Sequence, residues 1–228
     1  MNRPGRTGRP RRGAHATMLA YVTTDAVVPI PLLRQILGDA SEATFNAVTV
    51  DDHTSTNDTA VLLASGASGV RIADLAAAES FYVAVLDVCQ SLAYQIAADG
   101  EGATKVVIVT VKGAASDADA RVMARAIANS PLVKCAMHGN DPNWGRIISA
   151  AGYAGAAFDP DKATLSLQAT AVFRNGQPVP FDAEKVSASL SAAEVRAELS
   201  CRLGTGEATC WTCDLSKEYV TINADYHT

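Results

Sequence analysis

No acidic residue occurs in the first 17 positions of this 228-residue chain, and no apolar run reads as long enough to span a membrane. The first absence divides the chain electrically. Arg3, Arg6, Arg9, Arg11 and Arg12 supply five of its 19 basic residues, while all 24 acidic residues lie beyond Thr17. From Met18 onward the charge is 14 minus 24, or −10, against −5 for the whole. An acidic body lacks the basic face that displaces counterions from nucleic acid, so no nucleic-acid partner is expected. No membrane partner is expected either. The N-terminus has no apolar core of a secretory signal. It is Arg-rich and acid-poor, as mitochondrial transit peptides are, but its Gly and Pro residues oppose an amphipathic helix. Cysteine is sparse and odd in number, at five, which points to free thiols in a reducing, cytoplasmic setting.

Other absences exclude two kinds of site. Asp51, Asp52, His53, His138 and Asp141 lack any His-x-x-x-His-like ligand spacing, so no metal is expected. Cys210-Trp211-Thr212-Cys213 has redox spacing, but it falls in an expected strand, where the two side chains take opposite faces. No βαβ context surrounds it, and both read as core cysteines. No internal repeat is visible, and the N-terminal tail is the low-complexity segment.

The body is of ordinary globular composition, 48% hydrophobic and 19% charged. Its length fits one large domain or two small ones. Strands are expected at Leu19–Thr24, Phe45–Val50, Lys105–Val111 and Leu132–Met137. Val106–Val109 has no alternation, which predicts a strand covered on both faces. Helices are expected at Pro29–Leu37 with Gly38 as stop, from the cap Asp74 to Ala98, from Ser116 to about Asn129, and at Asn143–Ala151. Thr164–Phe173 and Gln177–Pro180 read as strands around an Asn175-Gly176 hairpin turn. Leu199–Leu203, Glu207–Asp214 and Tyr219–Asn223 read as three more, the first two joined by Gly204-Thr205-Gly206. A division is expected near residue 115. Residues 1–15 read as a disordered basic tail, 16–115 as one α/β portion and 116–228 as a second.

Three segments carry chemistry. At Ala16-Thr17-Met18-Leu19 a small residue and a Thr precede a strand-like run. Cleavage between Ala16 and Thr17 frees an α-amino group that can serve the Thr hydroxyl as its base. The plain alternative is a Thr that merely begins a strand. In Asp99-Gly100-Glu101-Gly102-Ala103-Thr104-Lys105, two glycines flank Glu101 at a helix-to-strand junction, so its carboxylate can approach a ligand on an uncrowded backbone. The plain alternative is a solvated turn glutamate. Asn223-Ala224-Asp225-Tyr226-His227-Thr228 otherwise reads as a frayed end.

Together these segments resemble the ornithine acetyltransferase family, the bifunctional glutamate N-acetyltransferases of arginine biosynthesis. The resemblance runs from Ala16 to Thr228. It includes His138-Gly139-Asn140-Asp141-Pro142-Asn143-Trp144-Gly145-Arg146, where the family shows Gly-x-Asp-Pro-Asn-Trp-Gly-Arg, and Thr54–Asp58. The former is read as architectural or near-site, with Asp141 and Arg146 locked as an ion pair. Before Thr54 the chain has Asp51-Asp52-His53 where Asp-Gly-Asp is usual, which removes a Gly able to support positive φ.

The resemblance implies an α/β fold of mixed sheets layered with helices, an ornithine-acetyltransferase-like N-terminal-nucleophile fold, here incomplete. It implies that Thr17 is the acyl-accepting nucleophile, that Ala16–Thr17 is the autocatalytic cleavage site, and that Glu101, Asn223 and Thr228 bind substrate with Thr17. Acetyl passes from N2-acetylornithine to Thr17, ornithine leaves, and glutamate takes the acetyl group. No cofactor is implied, although some members use acetyl-CoA as a substrate. The implied partner is an α chain, in a heterotetramer of two α and two β chains. A family precursor carries roughly as much sequence again before the nucleophile. That half supplies an oxyanion-hole Thr-Gly pair, a substrate-contacting Thr and a Lys whose position is held here by Arg6. The Arg/Pro/Gly tail is what an out-of-frame read of GC-rich DNA gives, so a frameshifted or mis-started gene model is expected, with a separately encoded β subunit as the other option. Two further readings stay open: an N-terminal-nucleophile aminopeptidase or amidohydrolase, and an inactive β-subunit fragment.

Overall fold

A computed structural model of the chain describes residues 18–225. β1 (Leu19–Thr24) and β2 (Thr59–Ala64) pair in parallel, Leu19 opposite Thr59, as a two-stranded sheet. Parallel neighbours need a crossover, and α1 (Ile30–Ala43) lies within it. α2 (Leu75–Ala98) follows, started by Asp74, which accepts from the Ala77 amide at 2.8 Å.

The remainder builds a six-stranded mixed sheet. Its strands are β3 (Val106–Ala114), β4 (Thr164–Leu167), β5 (Thr170–Arg174), β6 (Gln177–Pro178), β7 (Glu194–Ser200) and β8 (Gly206–Cys213). Their spatial order is β6-β5-β4-β7-β3-β8. The accompanying helices are α3 (Asp117–Asn129), α4 (Pro131–His138), α5 (Trp144–Gly152), α6 (Ala183–Ser189) and α7 (Lys217–Ala224).

β3 explains why its sequence lacks alternation. Val107, Val109 and Val111 enter one core with Met123, Ile127, Leu165 and Leu199. Val106 and Ile108 enter another with Met18, Phe45, Cys89 and Trp211. Each such buried side chain contributes about 1.5–3 kcal/mol. The expected division near residue 115 falls just past β3, whose two faces serve the two cores.

Several elements differ from expectation for local reasons. Leu132–Met137 is helical in α4: Ser130 caps it, Pro131 opens it, and Val133, Ala136 and Met137 are buried at helical spacing. Tyr219–Asn223 lies in α7, which Ser216 caps, with Glu218 in the first turn. None of the residues of α7 is buried, so no core face imposes a strand. Phe45–Ala47 is a short 3-10 turn, and Val48 makes a single bridge to Trp211. α1 runs through Gly38, and Thr44 closes it by donating from Oγ1 to Ala40 O. Thr164–Phe173 is two strands, broken where Gln168 and Ala169 take positive φ. β2 was not evident from pattern. β7 starts earlier than its Leu199–Leu203 signal, and β3 separates it from β8. Contrary to the sequence expectation, α2 has the length and apolarity to cross a membrane; it instead packs Val85, Cys89, Ala93 and Ala97 into the second core.

Candidate active site

The loop between α2 and β3 is pressed against the end of β8 and the start of α7. A side chain at Gly100 would bring Cβ to 2.8 Å from Cys213 Sγ. Gly102 has φ +68, and a Cβ there would lie 2.5 Å from the Tyr219 amide nitrogen. Between them Glu101 is half-buried. Its Oε2 accepts from Asn223 Nδ2 at 2.8 Å, and the same Nδ2 donates to Tyr219 O at 2.9 Å. The fold thus joins two of the expected substrate residues on an open surface.

The loop's C-terminal half is held by a buried carboxylate that sequence inspection missed. Asp214 Oδ1 accepts from the amides of Thr104 and Lys105 at 2.7 and 3.0 Å. Its Oδ2 accepts from Thr104 Oγ1 at 2.6 Å and lies 2.7 Å from His138 Nδ1. Burial pushes the Asp214 carboxyl up, but hydrogen bonds from Thr104, His138 and the Lys105 amide outweigh it and leave it below its usual range. Lys105 Nζ is buried and donates to Met137 O at 2.8 Å, Leu190 O at 2.7 Å and Asn140 Oδ1. Burial lowers its pKa, with Asp214 opposing. Lys134 Nζ similarly donates to Val50 O and, at 3.1 Å, to Thr212 Oγ1.

The His138–Arg146 segment therefore braces this loop from below. Its expected Asp141–Arg146 ion pair is not formed. Arg146 Nη1 donates to Leu132 O at 2.9 Å, and Asp141 Oδ2 accepts from Asn143 Nδ2 at 3.1 Å. Trp144 stacks on Phe173 with ring centroids 5.1 Å apart.

Ala16, Thr17 and Thr228 lie outside the described residues, as does Arg6. Met18, which follows Thr17, is pinned on both sides. Its amide donates to Asp58 Oδ1 at 2.7 Å, and its carbonyl accepts from the Thr59 amide at 2.8 Å. Asp58 Oδ2 is buried without a partner among the described residues. Met18 shares a core with Val106, the first residue of the strand that the Glu101 loop enters. In the preceding turn Asp52 adopts φ 66, so the conformation expected to need Gly is kept by an Asp that accepts from Asn129 Nδ2. Asp is among the residues that tolerate this region.

Among the described residues no group of three His, Cys, Asp or Glu is placed to hold a metal ion. Cys201 and Cys210 are buried, and burial pushes their thiols up to about 11 and about 12. A cleft of about 660 Å³ lined by Asp39, Glu42, Arg121, Arg125 and Cys210 contains none of the expected site residues. Of the missed residues, Ser216 carried a legible signal, a capping Ser followed by an acidic first turn. Asp214 carried none, because its partners lie between 76 and 110 positions away.

Residues 11–228 match the family model described as the ArgJ family. The chain is 48% identical over 215 residues to the arginine biosynthesis bifunctional protein ArgJ of Dehalococcoides mccartyi, covering 93% of this chain and 53% of that protein. It is 47% identical over 213 residues to the protein of the same name from Thermus thermophilus, covering 93% and 54%. The crystal structure of the arginine biosynthesis bifunctional protein argJ from Bacillus halodurans superposes with a TM-score of 0.89 at 40% identity, over 92% of this chain and all of that one. The chain spans about half the length of the curated relatives it matches.

Proposed function

The chain belongs to the ArgJ family, and from that premise we propose that it forms the acyl-accepting part of a glutamate N-acetyltransferase of arginine biosynthesis. In this reading Thr17 is the nucleophile. Once the Ala16–Thr17 bond is cut, the Thr17 amine takes the hydroxyl proton as the oxygen attacks the acetyl carbonyl of N2-acetylornithine. The amide C–N bond breaks, the proton passes to the departing nitrogen, and ornithine leaves an acetyl ester on Thr17. Glutamate's amine then attacks the ester and regenerates the hydroxyl. Acetyl-CoA in place of acetylornithine would acetylate Thr17 by the same attack, with a thiol leaving.

The observation that carries this reading is the Glu101–Asn223 contact at 2.8 Å. It presents a half-buried carboxylate beside an amide, a pair suited to the ammonium and carboxylate of an ornithine compound. The pinned Met18 supports it, because the strand that Thr17 precedes has a defined start. A substrate site completed by an α chain is supported by apolar side chains left exposed on the β1–β2 sheet and at the start of α2. Leu19 and Tyr21 of β1, Leu63 of β2 and Leu75 of α2 are all more than half exposed.

The test is to assemble the chain with the N-terminal half of an ArgJ protein and supply N2-acetylornithine without glutamate. A gain of one acetyl group on the peptide beginning at Thr17, discharged by glutamate, is the expected result. Acetyl released only to water would favour an amidohydrolase, and no label on Thr17 would overturn the proposal.

A further inference from the structure

We propose that Asp214 is a positioning residue that acts through Glu101. Its carboxylate ties the loop carrying Glu101 to the strand end from which the helix carrying Asn223 begins. The inference rests on Glu101 being a substrate residue, as proposed above.

The geometry is specific. Both Asp214 oxygens are occupied twice: Oδ1 by the Thr104 and Lys105 amides, Oδ2 by the Thr104 hydroxyl and the His138 ring. The side chain is wholly buried. Two residues on, the Ser216 hydroxyl donates to Gly102 O at 2.6 Å and accepts from the Glu218 amide at 3.1 Å, capping α7. The segment Asp214–Ser216 therefore grips the loop on the C-terminal side of Glu101 at three successive points of purchase: Gly102, Thr104 and Lys105. It then launches the helix whose Asn223 closes back onto Glu101.

Such a grip is needed because the loop is intrinsically loose. Gly100 and Gly102 carry no side chains to anchor it, and glycine loses more conformational freedom on ordering than any other residue. Packing holds the backbone near Cys213 and Tyr219, but packing alone does not orient the amides of Thr104 and Lys105. A carboxylate that accepts three donors from the loop does. A carboxylate also accepts at both oxygens without donating. An amide that keeps its oxygen on the Thr104 and Lys105 amides turns an N–H toward the Thr104 hydroxyl and the His138 ring, which must then reverse their roles and lose the charge-assisted bonds.

The assembly with an ArgJ N-terminal half is the sample, and Asp214→Asn, Glu101→Gln and the double variant are compared. Asp214→Asn is expected to raise the KM for N2-acetylornithine about ten-fold, with a smaller change in kcat. The double variant is expected to be no worse than Glu101→Gln alone, because a residue acting through Glu101 has nothing further to lose. Hydrogen exchange of the Thr104 and Lys105 amides is expected to quicken about ten-fold or more in Asp214→Asn. If that variant does not fold, Thr104→Val removes one of the four contacts and is expected to give the same pattern in weaker form. Additive effects in the double variant, or an unchanged KM where Glu101→Gln raises it, would overturn the inference. An unchanged KM in Glu101→Gln would instead sink the assignment of Glu101. The exchange rates would then decide the clamp alone, with unchanged Thr104 and Lys105 protection overturning it.

Discussion

Asn223 Nδ2 donates to Glu101 Oε2 at 2.8 Å, joining two residues that lie 122 positions apart. The pairing orients a carboxylate that would otherwise point freely from a glycine-flanked loop. Among the described residues it leaves the second carboxylate oxygen, Oε1, for a cation.

Glu101→Gln is accordingly expected to spare self-cleavage but to raise the KM for ornithine compounds about ten-fold or more. A charge-assisted hydrogen bond to the substrate ammonium contributes on the order of 1.5–3 kcal/mol. Steady-state kinetics on the assembled enzyme check this, and an unchanged KM for acetylornithine places Glu101 away from the substrate.

Thr17→Ala, in the chain assembled with the N-terminal half of an ArgJ protein, is expected to abolish both cleavage and acetyl transfer. The hydroxyl is the proposed nucleophile of each reaction. Intact mass should show one uncut chain; a normally cut product from the variant would refute the nucleophile.

The 228-residue chain by itself is expected to be catalytically silent and prone to aggregate. While Thr17 remains joined to Ala16, its nitrogen is an amide and cannot serve as a base. Loss of even one oxyanion donor costs about 2.7–4 kcal/mol in a transition state. Exposed Leu19, Tyr21, Leu63 and Leu75 supply an aggregating surface. Co-expression with a family α chain should raise the soluble yield. Robust glutamate acetylation by the purified chain alone would contradict this.

Asp214 makes the loop acid-sensitive. Its pKa in the folded chain lies below the ordinary value of 3.8. A carboxylate with a depressed folded pKa contributes stability that is fully present above the unfolded pKa and is lost as pH falls through the folded one. The loop's amide protection should therefore hold at neutral pH, begin to weaken below about pH 4 and be lost as pH falls through the folded pKa. Hydrogen exchange of Thr104 and Lys105 against pH measures it, and an acid loss of protection that is the same in Asp214→Asn would refute the role of the carboxylate.

Asp52 separates a backbone requirement from a side-chain one. Asp52→Ala loses the contact from Asn129 and keeps a Cβ at φ 66, so a loss of about 1–2 kcal/mol is expected. Asp52→Gly loses the same contact but relieves the backbone, and should stay within about 1 kcal/mol of the parent. Denaturant titration of the assembled protein decides it; equal losses would show that positive φ carries no cost here.

Much of the fold was legible because its signals are local. Asp74 and Ser116 mark helix starts by satisfying amides three residues on, and the unalternating Val106–Val109 announces a strand covered on both faces. Glu101 stood out for its flanking glycines and Asn223 through family likeness. Their contact, however, joins a loop to a helix that the residues 219–223 did not reveal, since α7 buries no face that would stamp a period on its sequence. Leu132–Met137 reads equally well as strand or helix until the core beneath it selects the spacing of Val133, Ala136 and Met137. Asp214, Lys105 and Lys134 are the clearest cases that only tertiary structure decides. A charged side chain is buried only where distant donors and acceptors converge on it, and that convergence is a property of the folded chain rather than of any stretch of its sequence.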